Sequence, residues 1–160
     1  MNHQVIDNYF PTDFFKNLIS NVTDSDFPWC FSPKVNNDQE DNSGYFVHKI
    51  YEDNAPKSPL WDEMRYMLSR LKATAILRAK VNFYLKTPEI VEHSRHIDLE
   101  IPHKGAILYL NTCDGYTRLA DGTKVESVEN RILLFDSSQL HNSTSTTNAL
   151  GRLNININYI

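Results

Sequence analysis

Cysteine is scarce in this chain: Cys30 and Cys113 are the only two in 160 residues, far apart and in no metal-like spacing. A disulfide framework or a cysteine-based zinc site is therefore not expected, and a reducing compartment fits. Runs of Lys and Arg are missing as well, and the formal charge is −4. The chain has no basic footprint for a phosphate backbone, so bulk nucleic-acid binding is not expected. No stretch of about 18 apolar residues is present to cross a bilayer. The opening MNHQVIDNYF lacks the basic-then-apolar order of a signal peptide. These absences together lead to the expectation of a soluble, cytoplasmic protein without internal repeats or low-complexity tracts.

What is present reads as a folded domain. Apolar residues make up 41% and charged residues 22%, with eight Phe, eight Tyr and two Trp, which is globular composition. One domain over residues 1–160 is the simplest organisation, long enough to bury a sizeable core. Its first part, 1–74, reads as a helix-containing support. Residues 5–10 suit a short strand, and Pro11-Thr12-Asp13 a helix start with Thr12 as N-cap, followed by Phe14, Phe15, Leu18 and Ile19 at helical spacing. Residues 28–31 and 44–51 read as aromatic-rich strands, with a polar loop over 34–43 between them. Ser58-Pro59 announces a second helix over about 59–73, whose Leu60, Trp61, Met64, Met67, Leu68 and Leu71 form a stripe for core packing.

From residue 75 the hydrophobic period changes from 3.6 to 2. Leu77, Ala79, Val81, Phe83 and Leu85 fall on one face, and Arg78, Lys80, Asn82 and Tyr84 on the other. Short strand patterns follow at 96–101, 105–111, 116–119, 123–128, 131–136 and 151–160. The turn signals between them include Asp114-Gly115, Asp121-Gly122 and Glu129-Asn130. Two helices followed by about seven antiparallel strands predict a mainly β protein with flanking helices (α+β): a jelly roll, or double-stranded β-helix of cupin-like type, with its core over 75–160. The last strand alternates Leu153, Ile155, Ile157 and Tyr159 with Arg152, Asn154, Asn156 and Asn158. A solvated sheet face is the plain reading of that polar row. Asn is a poor strand former, however, and its amide both donates and accepts, which suits the lining of a polar cavity. Two polar rows, 78–84 and 152–158, are explained together if both face the inside of one barrel.

The candidate chemistry sits in VEHSRHIDL, residues 91–99. In extended chain His96 and Asp98 point the same way, and with a second His they complete the 2-His-1-carboxylate triad of non-haem Fe(II) oxygenases. Alone, His96-Ile97-Asp98 carries little information: with six His and twelve Asp, chance supplies about half of one H-x-D. His141 is the best-placed third ligand, at the end of the apolar strand and turn RILLFDSSQLH, 43 residues beyond Asp98. His93 lies three residues before His96, a helical rather than a strand spacing, so it reads as a loop residue or a neighbour of the ligands.

His96-x-Asp98, His141 and then Arg152 eleven residues later resemble the Fe(II)- and 2-oxoglutarate-dependent dioxygenases. The stretches Ala106–Asn111, Asp114–Thr117, Asn130–Phe135 and Arg152–Asn156 are similar to small prolyl-hydroxylase-like members, phage-encoded ones included. The resemblance covers residues 75–160 well and the N-terminal half loosely. It implies that His96, Asp98 and His141 hold Fe(II), and that Arg152 binds the distal carboxylate of 2-oxoglutarate through a bidentate guanidinium. A surface ion pair is the bland alternative for Arg152. By likeness to the nucleic-acid demethylases of the same superfamily, Asn82, Tyr84 and Asn154 are further co-substrate contacts. Tyr109 is another, although alternation also allows it in the core. The implied reaction consumes O₂, decarboxylates 2-oxoglutarate to succinate and hydroxylates or oxidatively demethylates a substrate, with ascorbate supporting activity. No separate general base is implied.

The substrate is not legible. A peptide proline, a free amino acid and a nucleobase all remain, with the acidic balance against the last. The polar loops 34–43 and 142–149 are candidates to flank the pocket mouth. Two other functions stay open: a non-catalytic jelly-roll binding or structural module, and a cupin-like metalloenzyme that does not use 2-oxoglutarate.

Overall fold

The change of period at residue 75 marks the point after which the chain forms strands and no further helix among the described residues. The computed structural model describes residues 3–35 and 44–160. Two helices, α1 (Thr12–Val22) and α2 (Trp61–Leu71), are set among strands β1 (Gln4–Ile6), β2 (Cys30–Ser32), β3 (Tyr45–Glu52) and β4 (Ala55–Pro56). Then come β5 (Ile76–Leu85), β6 (Lys104–Tyr109), β7 (Tyr116–Arg118), β8 (Lys124–Glu126), β9 (Ile132–Asp136), β10 (Asn142–Ser143) and β11 (Gly151–Tyr159). The larger sheet has the order β1-β9-β6-β11-β5-β3-β2, with β4 beside β3; the smaller has β10-β7-β8. Every strand pair is antiparallel. The expected jelly roll with helices outside is what forms.

The smaller sheet is extended by chain outside its regular strands. Isolated bridges join Glu92 to Thr144 and His96 to His141, so the segment 92–96 runs antiparallel beside 141–144. Residues 96–101, expected as a strand, contribute only this bridge at His96. The Ser/Thr stretch after His141, expected as a polar loop at the mouth, is mostly interior. Asn142, Thr144, Ser145 and Thr146 are buried, and the hydroxyls of Thr144, Ser145 and Thr146 are hydrogen-bonded. Of the loop expected at 34–43, residues 36–43 lie outside the described residues.

Both helices lie on the outer face of the larger sheet. Phe15, Leu18 and Val22 of α1 and Met64 and Met67 of α2 meet Ala79, Val81, Ala106, Leu108, Ile155 and Ile157 in one apolar cluster. The aromatic and Met stripe read from the sequence is therefore core, as its spacing indicates. The helix starts differ from expectation. Pro11, not Thr12, is the residue before α1, and α2 begins at Trp61 with no side-chain cap. Ser58 instead closes the preceding turn: its Oγ accepts from the Leu60 N–H at 3.2 Å and its carbonyl from Trp61 N–H at 3.1 Å.

The central strand β11 is buried on both faces. Its odd-numbered apolar residues meet the helices; its even-numbered row faces the other way. Register places Arg152 opposite Tyr84, Asn154 opposite Asn82, Asn156 opposite Lys80 and Asn158 opposite Arg78. The two polar rows are thus one continuous interior surface, and the solvated-face reading of β11 is overturned: Asn158 has no exposed surface. On the other flank, β6 sets Tyr109 opposite Asn154 and Ile107 opposite Asn156.

Candidate functional site

The paired backbone of 96 and 141 fixes two imidazoles side by side. His96 N–H donates to the His141 carbonyl at 2.9 Å, and His141 N–H returns the bond at 3.0 Å. Each ring is then oriented by a carbonyl two residues before it. His96 Nδ1 meets Ser94 O at 3.2 Å, and His141 Nδ1 meets Gln139 O at 2.9 Å. A carbonyl only accepts, so both Nδ1 atoms carry a proton, and in the neutral form of each ring the lone pair is on Nε2. That lone pair is what a metal ligand needs. Burial, then the neighbouring His141, lowers the His96 pKa, which favours the neutral ligand form.

Asp98 completes the group. Its carboxylate lies 3.9 Å from His96 Nε2 and 3.6 Å from His141 Nε2, and the ligand atoms of the three residues all fall within 4.8 Å of one another. Arg78 Nη2 donates to its Oδ1 at 2.7 Å, while Ser137 Oγ and Asn158 Nδ2 (2.9 Å) donate to its Oδ2. Burial alone would raise the carboxyl pKa. The neighbouring His141 ring, the positive charges of Arg78 and Lys80 and the Ser137 hydrogen bond outweigh it and hold Asp98 ionised, well below the usual range. Two imidazoles held at Nδ1 with Nε2 turned to one ionised carboxylate, each oriented by further hydrogen bonds, fit a divalent iron-type ion.

A cavity lies beside the triad, between the two sheets. Asn82, Tyr84, Ile107, Arg152, Asn154 and Asn156 line it from the larger sheet, and Thr117, His96, His141 and Ser143 from the smaller side. Arg152 has no exposed surface. Its Nη2 donates to Thr117 Oγ1 at 2.9 Å, and its Nε has no hydrogen-bond partner among the described residues. Its guanidinium carbon stands 5.6 Å from the Tyr84 ring centroid and 5.4 Å from that of Tyr109. No carboxylate among the described residues pairs with it, so the surface ion-pair reading of Arg152 does not hold. A buried, aromatic-walled guanidinium with an open donor fits a carboxylate.

The remaining expected residues divide. Asn82 and Asn154 face the cavity and are joined to each other, Asn82 Nδ2 to Asn154 Oδ1 at 3.0 Å. Tyr84 lines it too; burial first, then the nearby Tyr45 phenol, raises its pKa, so it stays a neutral donor. Tyr109 is interior, but its hydroxyl already donates to Thr117 Oγ1 at 2.9 Å, and its ring joins the apolar cluster of Leu119, Val125, Leu133 and Phe135. It stands behind Arg152 rather than in the cavity wall. His93 is buried, with Nδ1 2.7 Å from Ser143 Oγ and its ring against Tyr84; it is outside the metal-ligand group. Sequence reasoning missed Thr117, Ser137 and Ser143 as site residues. It also left Arg78, Asn156 and Asn158 as unassigned members of the polar rows.

No protein-family profile matches the chain, and no curated protein matches it in sequence. Solved structures do match. A 2OG-Fe(II) oxygenase family oxidoreductase from Burkholderia pseudomallei aligns with TM-score 0.70 at 13% identity, over 98% of this chain and 84% of that one. The fold is that of these oxygenases. A prolyl hydroxylase from Trichoplax adhaerens, in complex with a hypoxia inducible factor peptide fragment, aligns with TM-score 0.67 at 17% identity, over 98% and 83%. HygX from Streptomyces hygroscopicus, with nickel and 2-oxoglutarate bound, aligns with TM-score 0.65 at 12% identity, over 98% and 82%.

Proposed function

We propose that this chain is an Fe(II)- and 2-oxoglutarate-dependent oxygenase. The observation that carries the reading is Arg152, a fully buried guanidinium with no carboxylate partner among the described residues, in the same cavity as the His96–Asp98–His141 triad. An unpaired buried cation costs several kcal/mol. The distal carboxylate of 2-oxoglutarate is the anion that would offset that cost here. The triad alone would serve a cupin-like metalloenzyme, and the polar cavity alone a binding module; the two together favour the oxygenase. The fold it shares with 2-oxoglutarate oxygenases supports the same reading.

In this account His96, Asp98 and His141 hold the iron, and Arg78, Ser137 and Asn158 keep Asp98 ionised and oriented. Arg152 receives the distal carboxylate, with Thr117 and Tyr109 fixing the guanidinium from behind. Tyr84, Asn82 and Asn154 form the polar wall beside it. When bound, iron, O₂ and 2-oxoglutarate supply the oxidising power, with succinate and CO₂ as co-products and a hydroxylated or demethylated substrate. The protein orients and shields the reactants. In residues 1–74, α1 and α2 act as the support that backs the larger sheet, while β1, β2, β3 and β4 extend the sheet itself. A peptide, an amino acid or a nucleobase is the substrate class, and a peptide has the precedent of the Trichoplax complex. The free thiols of Cys30 and Cys113 suit a reducing cytoplasm, a host's if the protein is phage-encoded.

The test is succinate formation from 2-oxoglutarate with Fe(II), O₂ and ascorbate, as slow uncoupled turnover. Asp98→Ala and His141→Ala are each expected to abolish it. Turnover that persists in both variants would overturn the site assignment.

A further inference from the structure

The interior polar row continues past the co-substrate cavity. Along β5 it runs from Tyr84 and Asn82 to Lys80 and Arg78, with Lys49 of β3 directly opposite Lys80. Lys80 lies four residues from Tyr84, which is the residue opposite Arg152, or roughly 13 Å along the strand. A second hollow of about 200 Å³ opens there, walled by Tyr45, Lys49, Glu52, Arg78 and Lys80 among others.

Charge in this hollow is not balanced. Lys49 is taken up by Glu52, and Arg78 by Asp98 at 2.7 Å. Asp98 forms its ion pair with Arg78 and is turned towards the two imidazoles; no ion pair joins it to Lys80. Lys80 forms no ion pair among the described residues; its Nζ stands 5.9 Å from the Tyr45 ring centroid. Burial, followed by the charge of Arg78, pushes its pKa down to about 8, so it remains mostly protonated at neutral pH. Register sets Lys80 opposite Asn156, whose Nδ2 lies 3.4 Å from Asp98 Oδ2, so its place on the strand is next to the triad. An uncompensated cation in a wall of an open hollow, beside the metal position, is placed to meet a ligand. With Glu52 on the same rim, it matches a singly charged group better than a phosphate dianion.

We propose that Lys80 is the specificity-determining cation of the substrate site and binds a carboxylate of the substrate, in the hollow it shares with Arg78 and Tyr45. The proposal rests on the oxygenase reading for what happens next to that carboxylate. It names a substrate chemistry with two sources: the α-carboxylate of a free amino acid, or an acidic side chain in a peptide.

Binding is read by chemical-shift titration of the ¹⁵N-labelled full chain with Zn(II) and 2-oxoglutarate present. Three matched pairs are the probes: acetate and acetamide, L-proline and L-prolinamide, and acetyl-Ala-Glu-Pro-Ala-amide with its Gln counterpart. The carboxylate member of at least one pair is expected to bind about tenfold or more tightly than its amide, the worth of one charge-assisted hydrogen bond. The shifts should centre on β3 and β5. A preference in the proline pair assigns the free amino acid, and one in the peptide pair the acidic peptide. Lys80→Met should abolish the preference, Lys80→Arg should keep it, and 2-oxoglutarate should bind Lys80→Met as it binds the wild type. Equal binding of every pair in the wild type, or a preference that survives Lys80→Met, overturns the proposal. So does a Lys80→Met variant that loses 2-oxoglutarate in the same measure, since Lys80 would then serve the co-substrate. A wild type that discriminates acetate but does not bind 2-oxoglutarate would instead count against the oxygenase reading alone.

Discussion

Arg152 is held in the interior at an energetic cost, and that gives a prediction with two opposite signs. Arg152→Met keeps the volume and removes the unpaired charge. The ligand-free variant is expected to melt no lower than wild type, because replacing buried charge by apolar bulk is often neutral or stabilising. The same change should weaken 2-oxoglutarate binding about a hundredfold or more, by loss of a bidentate charge-assisted contact. Thermal unfolding with and without 2-oxoglutarate reads both, since a ligand stabilises only the form that binds it. Single residues were legible from sequence only in combination. His96-Ile97-Asp98 became informative through His141 and Arg152, whereas Thr117 and Ser137 carry no signal of their own. Short hydroxyl side chains are ordinary in strands and turns, and only the folded register shows which cation or carboxylate they touch.

Among the elements, alternation in β5 and β11 was the most readable feature. Period 2 fixed which residues share a face, and the asparagines indicated that the polar face was interior. The segment after His141 was misread because Ser and Thr are also loop residues. Here Asp114 converts them into buried structure: its carboxylate accepts from Thr146 Oγ1 (2.6 Å), from Thr147 N–H (2.8 Å) and from Thr147 Oγ1. Burial opposes ionisation of Asp114, but these hydrogen bonds win and hold its pKa at about 2. Glu92, bonded by Arg118, Tyr116 and Asn142, is likewise held at about 2. Both folded values lie below the ordinary ones of 3.8 and 4.5. The two carboxylates therefore add stability that is complete above about pH 4.5 and lost as pH falls towards 2. Acid unfolding monitored by circular dichroism should show this window, and Asp114→Asn should remove part of it. Gly115 on the same turn is constrained by space: an added Cβ would stand 2.6 Å from Arg152 Cδ and 2.5 Å from the Ser145 carbonyl. Gly115→Ala should cost about 1–3 kcal/mol in denaturant unfolding and weaken 2-oxoglutarate binding through the displaced guanidinium.

For the molecule as a whole, the helices pack against one face of the larger sheet and the candidate site occupies the other. Met64 of α2 is fully buried against the outer face of the larger sheet. Met64→Ala should lower stability by about 2–5 kcal/mol in denaturant unfolding while leaving the affinity of the folded protein for 2-oxoglutarate unchanged. Fold class was legible because from residue 75 the strand period persists to the end of the given sequence, over β5 to β11. Sheet order was not, since β1, β2 and β3 join a sheet whose centre is β11, and such long-range pairing leaves no local trace. The central claim is that triad and guanidinium form one site for iron and 2-oxoglutarate. Anaerobic titration with Fe(II) and then 2-oxoglutarate tests it most directly. The account predicts a weak visible charge-transfer absorption in the wild type, absent from His141→Ala and, at the same 2-oxoglutarate concentration, from Arg152→Met. A wild type that binds Fe(II) without developing the band, or an Arg152→Met variant that develops it undiminished, would contradict the account.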